Sequence, residues 1–265
     1  MSKPLPFDQS NALAINEARM ACLRRILPEI KTTLALRTAV DVGCGVGYFS
    51  RFLANMGFEV TGLEYREANV LAARERHPDI RFGQFDVEAD VAGEVPRYDL
   101  VLCTGLLYHL ENPLRAVRTL RRLAGQVVVV ESMLIPAKEP MAALVIEEEG
   151  VDQAANYLAL IPSMSCLAVM LNRTGFTHVY RVARRPEHPE FHETRVYKQR
   201  RDILVASMIP LTTPELISLS PQSSAAPWTK PWGWRIEEIR WFLRKPMRAK
   251  VASLYRRASR HIGLA

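Results

Sequence analysis

The sequence predicts an α/β fold: a mostly parallel seven-stranded sheet with an antiparallel last strand and helices on both faces. Three observations carry that expectation. Short apolar runs alternate with helical stretches through the first half of the chain, a glycine-rich turn joins the first run to a helix, and two late apolar runs flank a polar loop. Alternation of this kind builds βαβ units, and their crossovers place helices on the two faces of a parallel sheet.

Residues 10–36 begin with Ser10 and Asn11 as candidate caps. They carry Leu13, Ala14, Ala21, Leu23, Ile26 and Leu27 among charges, the pattern of a helix interrupted near Pro28 that covers the sheet. Five strands are expected at Thr38 to Val42, Glu59 to Leu63, Ile80 to Gln84, Leu100 to Thr104 and Val127 to Glu131. Helical composition fills Gly47 to Met56 and Arg66 to Arg76. After Glu131 the rhythm breaks into a loop-like or partly helical insertion through Ile161, where Glu147, Glu148 and Glu149 sit together. A helix from Ser163 to Arg173, ended by Gly175, then leads to an antiparallel pair, Phe176 to Val182 and Arg201 to Met208. Pro, Ser and Thr crowd residues 210–227, so the chain divides into a domain over 1–209, a linker over 210–229 and an extension over 230–265.

Composition narrows the function classes. The 265 residues are 48% hydrophobic, enough for one domain with a sizeable core. The cysteines Cys22, Cys44, Cys103 and Cys166 show no CxxC pairing, which argues against a disulfide framework or a zinc site and for a reducing, cytoplasmic setting. The N-terminal segment lacks the apolar core of a signal peptide, and no stretch approaches the roughly 20 apolar residues that span a bilayer. Of the net charge of +7, residues 230–265 hold +8, so the body is slightly acidic. Ile236, Ile239, Trp241, Phe242 and Leu243 lie among these arginines as in a basic amphipathic helix over 234–261. That helix either packs on its own domain or a partner subunit, or touches an anionic membrane surface; nucleic acid ranks third, because an RNA-modifying enzyme normally spreads positive potential around its site.

The sharpest motif is Asp41-Val-Gly43-Cys44-Gly45-Val-Gly47, at the end of the first strand and opening a helix. Glycines serve there because side chains would keep a ligand from the backbone. The spacing differs from the dinucleotide pattern GxGxxG, and an acidic residue ahead of the first glycine suits a ligand bearing an amino acid rather than a pyrophosphate. Glu64 closes the second strand, where a carboxylate accepts hydrogen bonds from both hydroxyls of a ribose, and Tyr65 follows it. Asp86 lies beyond the third strand, placed to meet the exocyclic amine of adenine with Phe85 and Val87 flanking the base. The fourth strand ends at Thr104 and runs into Gly-Leu-Leu-Tyr108-His109-Leu. Ligands of open parallel sheets bind at the carboxyl ends of the strands, so these positions share one edge.

The series DVGCGVG, GLEY, FDVEAD and YDLVLCTGLLYHLENP resembles the class I S-adenosylmethionine-dependent methyltransferases, of Rossmann-like fold, over about residues 35–208. The resemblance implies S-adenosyl-L-methionine as cofactor. Asp41, Gly43, Gly45 and Gly47 would hold its methionine end, Glu64 its ribose and Asp86 its adenine. A narrower similarity, in LLYHLENPL, VVVVESM, NYLALIPS and MLNRTGF, is to the bacterial transferase that places a carboxymethyl group on the wobble uridine of tRNA. In that family a tyrosine at the position of Tyr108 and an arginine beyond the sixth strand bind the carboxylate of a carboxylated cofactor. Arg195, Arg200 and Arg201 all fall in a comparable stretch. The family also carries a lysine on a basic N-terminal extension with no counterpart in this sequence, so plain S-adenosylmethionine is the expected cofactor.

Methyl transfer from a sulfonium is an in-line displacement that rests on positioning and on excluding water. For a hydroxyl acceptor, His109 or Glu131 at strand ends are the candidate bases, and His109 alternatively only orders its loop. Tyr108 either presents its ring to the sulfonium or walls the pocket. Glu147 to Glu149 with Asp152 read as a solvated acidic run rather than a metal site, and His188 and His192 as loop residues. The expected activity is methyl transfer to a hydroxyl or similar nucleophile of a small molecule, glycan or glycolipid; the alternatives are (carboxy)methyl transfer to the wobble uridine of tRNA and a non-catalytic, cofactor-binding scaffold.

Overall fold

The structure is a computed structural model that describes residues 6–89, 93–147, 158–193 and 200–219. Helix α1 (Ser10–Thr33) precedes strand β1 (Thr38–Val42), α2 (Tyr48–Asn55), β2 (Glu59–Glu64), α3 (Glu67–Arg76), β3 (Arg81–Gln84), β4 (Tyr98–Thr104), α4 (Pro113–Leu123) and β5 (Ala124–Met133). There follow β6 (Ala142–Ile146), β7 (Leu158–Pro162), α5 (Met164–Arg173), β8 (His178–Val182), β9 (Arg201–Ser207) and β10 (Leu216–Ser218). Every expected strand of the main sheet is present, within a few residues at each end.

The main sheet has the order β10-β8-β9-β5-β4-β1-β2-β3. Strands β1 to β5 run parallel, and β9 enters antiparallel between β5 and β8. The eighth strand, β10, pairs antiparallel with β8 and comes from the stretch read as a linker, so at least residues 216–218 belong to the sheet. Strand order reverses between β1 and β4, which makes the carboxyl ends of those strands the topological switch point.

Period-two alternation decides which helix packs where. Ala39, Leu100, Leu102, Val127 and Val129 face α1, α2 and α3, meeting Leu23, Ile26, Leu27, Phe52 and Leu53. Their neighbours Val40, Val42, Val101, Cys103, Val128 and Val130 face α4 and α5, against Leu120, Leu167 and Leu171. Both sides being covered, the valine run of β5 is fully buried, as central parallel strands demand.

Three local expectations are corrected. Helix α1 continues through Pro28: Leu23, Ile26, Leu27 and Ile30 are all buried, so packing on both sides of the proline outweighs the hydrogen bond it cannot donate. Its N-cap is Gln9 rather than Ser10 or Asn11, and Ser10 is the first helical residue. The insertion after Glu131 carries neither loop alone nor helix in its described parts; β6 and β7 pair antiparallel into a separate two-stranded arm. Residues 147–157 separate its strands, a longer stretch than the short loops that mark a hairpin in sequence. The backbone N–H of Leu160 on this arm donates to the carbonyl of Leu110 at 2.9 Å, which ties the arm to the segment after β4. The amphipathic helix expected over 234–261, and with it the membrane or RNA contact, lies outside the described residues, as do Glu148, Glu149, Asp152 and Arg195.

Candidate functional site

A cavity of about 390 Å³ opens at the carboxyl edge of β1, β2, β3 and β4. Gly43 and Gly45 line it from the turn after β1, Glu64 and Tyr65 from the end of β2, Asp86 and Val87 from beyond β3, and Gly105 and His109 from beyond β4. Register explains the convergence. Val42 pairs with Leu63, so Glu64 stands one residue past the point where the glycine turn leaves β1. Residues 62 apart along the chain at their extremes, Gly43 and Gly105, thus share one wall.

The glycine turn is a cradle that side chains would fill. Gly45 has φ +52°, and a Cβ there would stand 3.2 Å from the Phe7 ring; Gly43 has φ +74°, and its Cβ would stand 2.8 Å from Leu106. Glu64 is tied into the same turn. One carboxylate oxygen accepts the backbone N–H of Gly45 at 3.0 Å, and the other accepts the N–H of Arg66 at 3.0 Å and the side chain of Asn69 at 3.4 Å. A carboxylate has about four lone-pair sites, so acceptor capacity remains towards the cavity. Asp86 is exposed and accepts the N–H of Glu88 at 2.8 Å in a local turn that aims the segment after β3.

Four expected cofactor residues stand behind this wall and do not line the cavity. Asp41 is fully buried and accepts the Ser50 hydroxyl at 2.7 Å; burial pushes its carboxyl up to about 7, against the pull of that hydrogen bond and with nearby Glu64 adding to the rise. Through Ser50 it ties the end of β1 to α2 beside the glycine turn. Gly47 caps α2, where a Cβ would strike His77 and Phe82. Cys44 and Thr104 are buried packing residues. The Cys103 thiol is pushed up by burial, so it stays protonated and unreactive.

The three expected catalytic residues separate. His109 lines the cavity, and its Nδ1 lies 2.8 and 2.9 Å from the two oxygens of Glu147, just past β6. Glu147 is therefore a largely buried partner just past β6 rather than part of a fully solvated face. No sequence signal links two residues 38 positions apart. Glu131 is not available as a base: it is fully buried, paired with Arg19 of α1 at 2.7 Å and Arg201 of β9 at 3.2 Å, and accepts the N–H of Gly105 at 2.9 Å. Tyr108 is buried beneath the Arg201 guanidinium, 4.6 Å from its ring centroid, and is not among the residues that line the cavity. Arg201 also meets Glu190. Burial works against its charge, yet Tyr108, Glu131 and Glu190 around it hold its pKa above the ordinary value.

His188 and His192 flank the turn between β8 and β9, away from the cavity lining. Among the described residues no cluster of His, Cys, Asp and Glu is suited to a metal ion, and no helix is long and apolar enough to cross a membrane.

Known proteins match this arrangement. A family model described as "Methyltransferase domain" matches residues 15–180, which include the whole glycine turn, Glu64, Asp86 and His109. A ubiquinone biosynthesis O-methyltransferase of Stutzerimonas stutzeri is 35% identical over 102 residues, 36% of this chain and 44% of that protein. A tRNA U34 carboxymethyltransferase of Trichlorobacter lovleyi is 28% identical over 183 residues, 64% of this chain and 54% of that protein. The chain thus spans about half the length of the curated relatives it matches. Among solved structures, the N-terminal domain of EvdMO1 with SAH bound superposes with a TM-score of 0.55 at 19% identity, covering 71% of this chain and 79% of that one, a likeness of fold. The match over more than half its length, on a Rossmann-like sheet with the glycine turn and carboxylates on one edge, places the chain in the methyltransferase-domain family.

Proposed function

We propose that the protein transfers a methyl group from S-adenosyl-L-methionine to a hydroxyl of a small molecule, glycan or glycolipid. One observation carries the reading: Gly43, Gly45, Glu64 and Asp86 line a single cavity, with His109 on the same lining. The residues fit an adenosyl cofactor, since the turn offers bare backbone, Glu64 has acceptor capacity for ribose hydroxyls, and Asp86 beside Val87 suits an adenine amine. When bound, S-adenosylmethionine supplies an electrophilic methyl on a sulfonium. The chain's task is then positioning, removal of the acceptor's proton and exclusion of water. His109, on the cavity lining, takes the proton of the acceptor hydroxyl, and Glu147 beside its Nδ1 stabilises the imidazolium that forms. The match to ubiquinone biosynthesis O-methyltransferases supports oxygen as the receiving atom.

A second reading, carboxymethyl transfer to wobble uridine, is favoured by the stacking of Arg201 on Tyr108 and by the longer match to tRNA U34 carboxymethyltransferases. Against it, Arg201 already meets the carboxylates of Glu131 and Glu190.

Calorimetry with S-adenosylhomocysteine tests the cofactor site: Gly45→Arg abolishes binding and Glu64→Ala weakens it about 10- to 100-fold, the worth of hydrogen bonds to a charged group. Unchanged affinity in both variants refutes the site. Release of S-adenosylhomocysteine with phenol, sugar and tRNA acceptors then separates the two readings.

A further inference from the structure

The cavity has a wall that the motifs do not account for. Pro6–Asp8 forms a single helical turn ahead of α1, and its Phe7 lies against Gly45 of the glycine turn. The Phe7 ring lines the cavity beside Gly45 and Glu64, and its Cε1 and Cζ stand 3.2 and 3.4 Å from where a Gly45 Cβ would project. Phe7 is only half-buried, so part of its ring faces the space a ligand would fill. The next residue, Asp8, is gripped by both terminal nitrogens of Arg76, Nη1 at 3.0 Å and Nη2 at 2.8 Å. Arg76 ends α3, the helix whose first turn supplies Asn69 to Glu64. A two-pronged guanidinium–carboxylate contact fixes orientation as well as distance. One helix therefore holds the ribose-side carboxylate at one end and the N-terminal turn at the other.

We infer that Phe7 is a cofactor-contact residue and that Asp8 and Arg76 are the positioning pair that holds it over the glycine turn. The ring packs on the bound adenosyl ligand and shields it from water, and a ligand must displace this turn to leave. The contact between Asp8 and Arg76 is partly exposed, with each side chain 37% accessible, so it orients the turn while adding only a modest hold. This inference rests on the cofactor reading above and concerns only how the ligand is retained.

The test is the dissociation rate of S-adenosylhomocysteine from the full chain, followed by stopped-flow displacement. Phe7→Ala raises it about tenfold with the unfolding midpoint unchanged. Asp8→Arg and Arg76→Asp each raise it severalfold, and the double exchange restores it to within about twofold of wild type, a rescue that a merely structural role would not produce. Rates within twofold of wild type for Phe7→Ala, or a double exchange no better than either single variant, overturn the inference. Failure of the wild-type chain to bind S-adenosylhomocysteine removes the cofactor reading itself, a result distinct from binding with unaltered release.

Discussion

The two sides of the cavity are built by different means. The cofactor side is assembled from strand ends close in sequence: Gly45 and Glu64 are 19 residues apart and joined by one hydrogen bond. The side beyond β4 is assembled from distant segments, with His109 held by Glu147 from the arm and Gly105 tied to Glu131, which Arg19 and Arg201 hold from far apart in the chain. Local geometry constrains residue types strongly, because a glycine turn at positive φ tolerates little else. Long-range pairing constrains only complementarity, so it leaves no spacing to read.

The largest effect that would break this contrast concerns Glu131. Glu131→Ala leaves two arginines buried without their shared carboxylate, and loss of one side of a buried pair costs about 3–5 kcal/mol. Urea unfolding should show that loss. A stable variant that had lost only turnover would instead return Glu131 to the chemistry.

Next comes Asp41, on the cofactor side. Its carboxyl is raised from an ordinary 3.8 to about 7, so between those values the folded protein holds a proton that the unfolded chain has released. Stability therefore falls as pH rises from about 4 to about 7 and levels off above. A tenfold change in an ionisation equilibrium is worth about 1.4 kcal/mol, so the decline is on the order of 2–4 kcal/mol. Asp41→Asn should flatten the profile, and a parallel slope in that variant would place the titration elsewhere.

The smallest effect sharpens the comparison. Glu147→Gln keeps the arm's shape but removes the charge beside His109, so turnover should fall about tenfold, part of the usual contribution of acid–base catalysis, while affinity for S-adenosylhomocysteine stays at the wild-type value. Loss of cofactor affinity instead would show that the two sides are not separable.

Most of the sheet is legible in the sequence, since β5 carries the uninterrupted run Val127 to Val130 and α5 reads as a capped helix whose Ser163 accepts the N–H of Cys166. The β6–β7 arm was not, because its strands pair only with each other and their exposed Leu144 and Ile146 follow no core-facing rule. In the site, the glycines that line the cavity, Glu64 and Asp86 could be identified because ligand geometry dictates them. Asp41 and Tyr108 lie on the expected edge but are buried and do not line the cavity, since spacing fixes where a residue sits in the chain and burial decides what it touches. Phe7 and Glu147 gave no signal, as each reaches the site through a contact made only in the folded chain.

The most direct measurement is a crystal structure of the chain with S-adenosylhomocysteine. The account predicts one ligand lying across the turn of Gly43 and Gly45, its ribose hydroxyls on Glu64 and its adenine beside Asp86 and Val87. A ligand seated elsewhere, or one that touches Glu64 and Asp86 from different cavities, would contradict it.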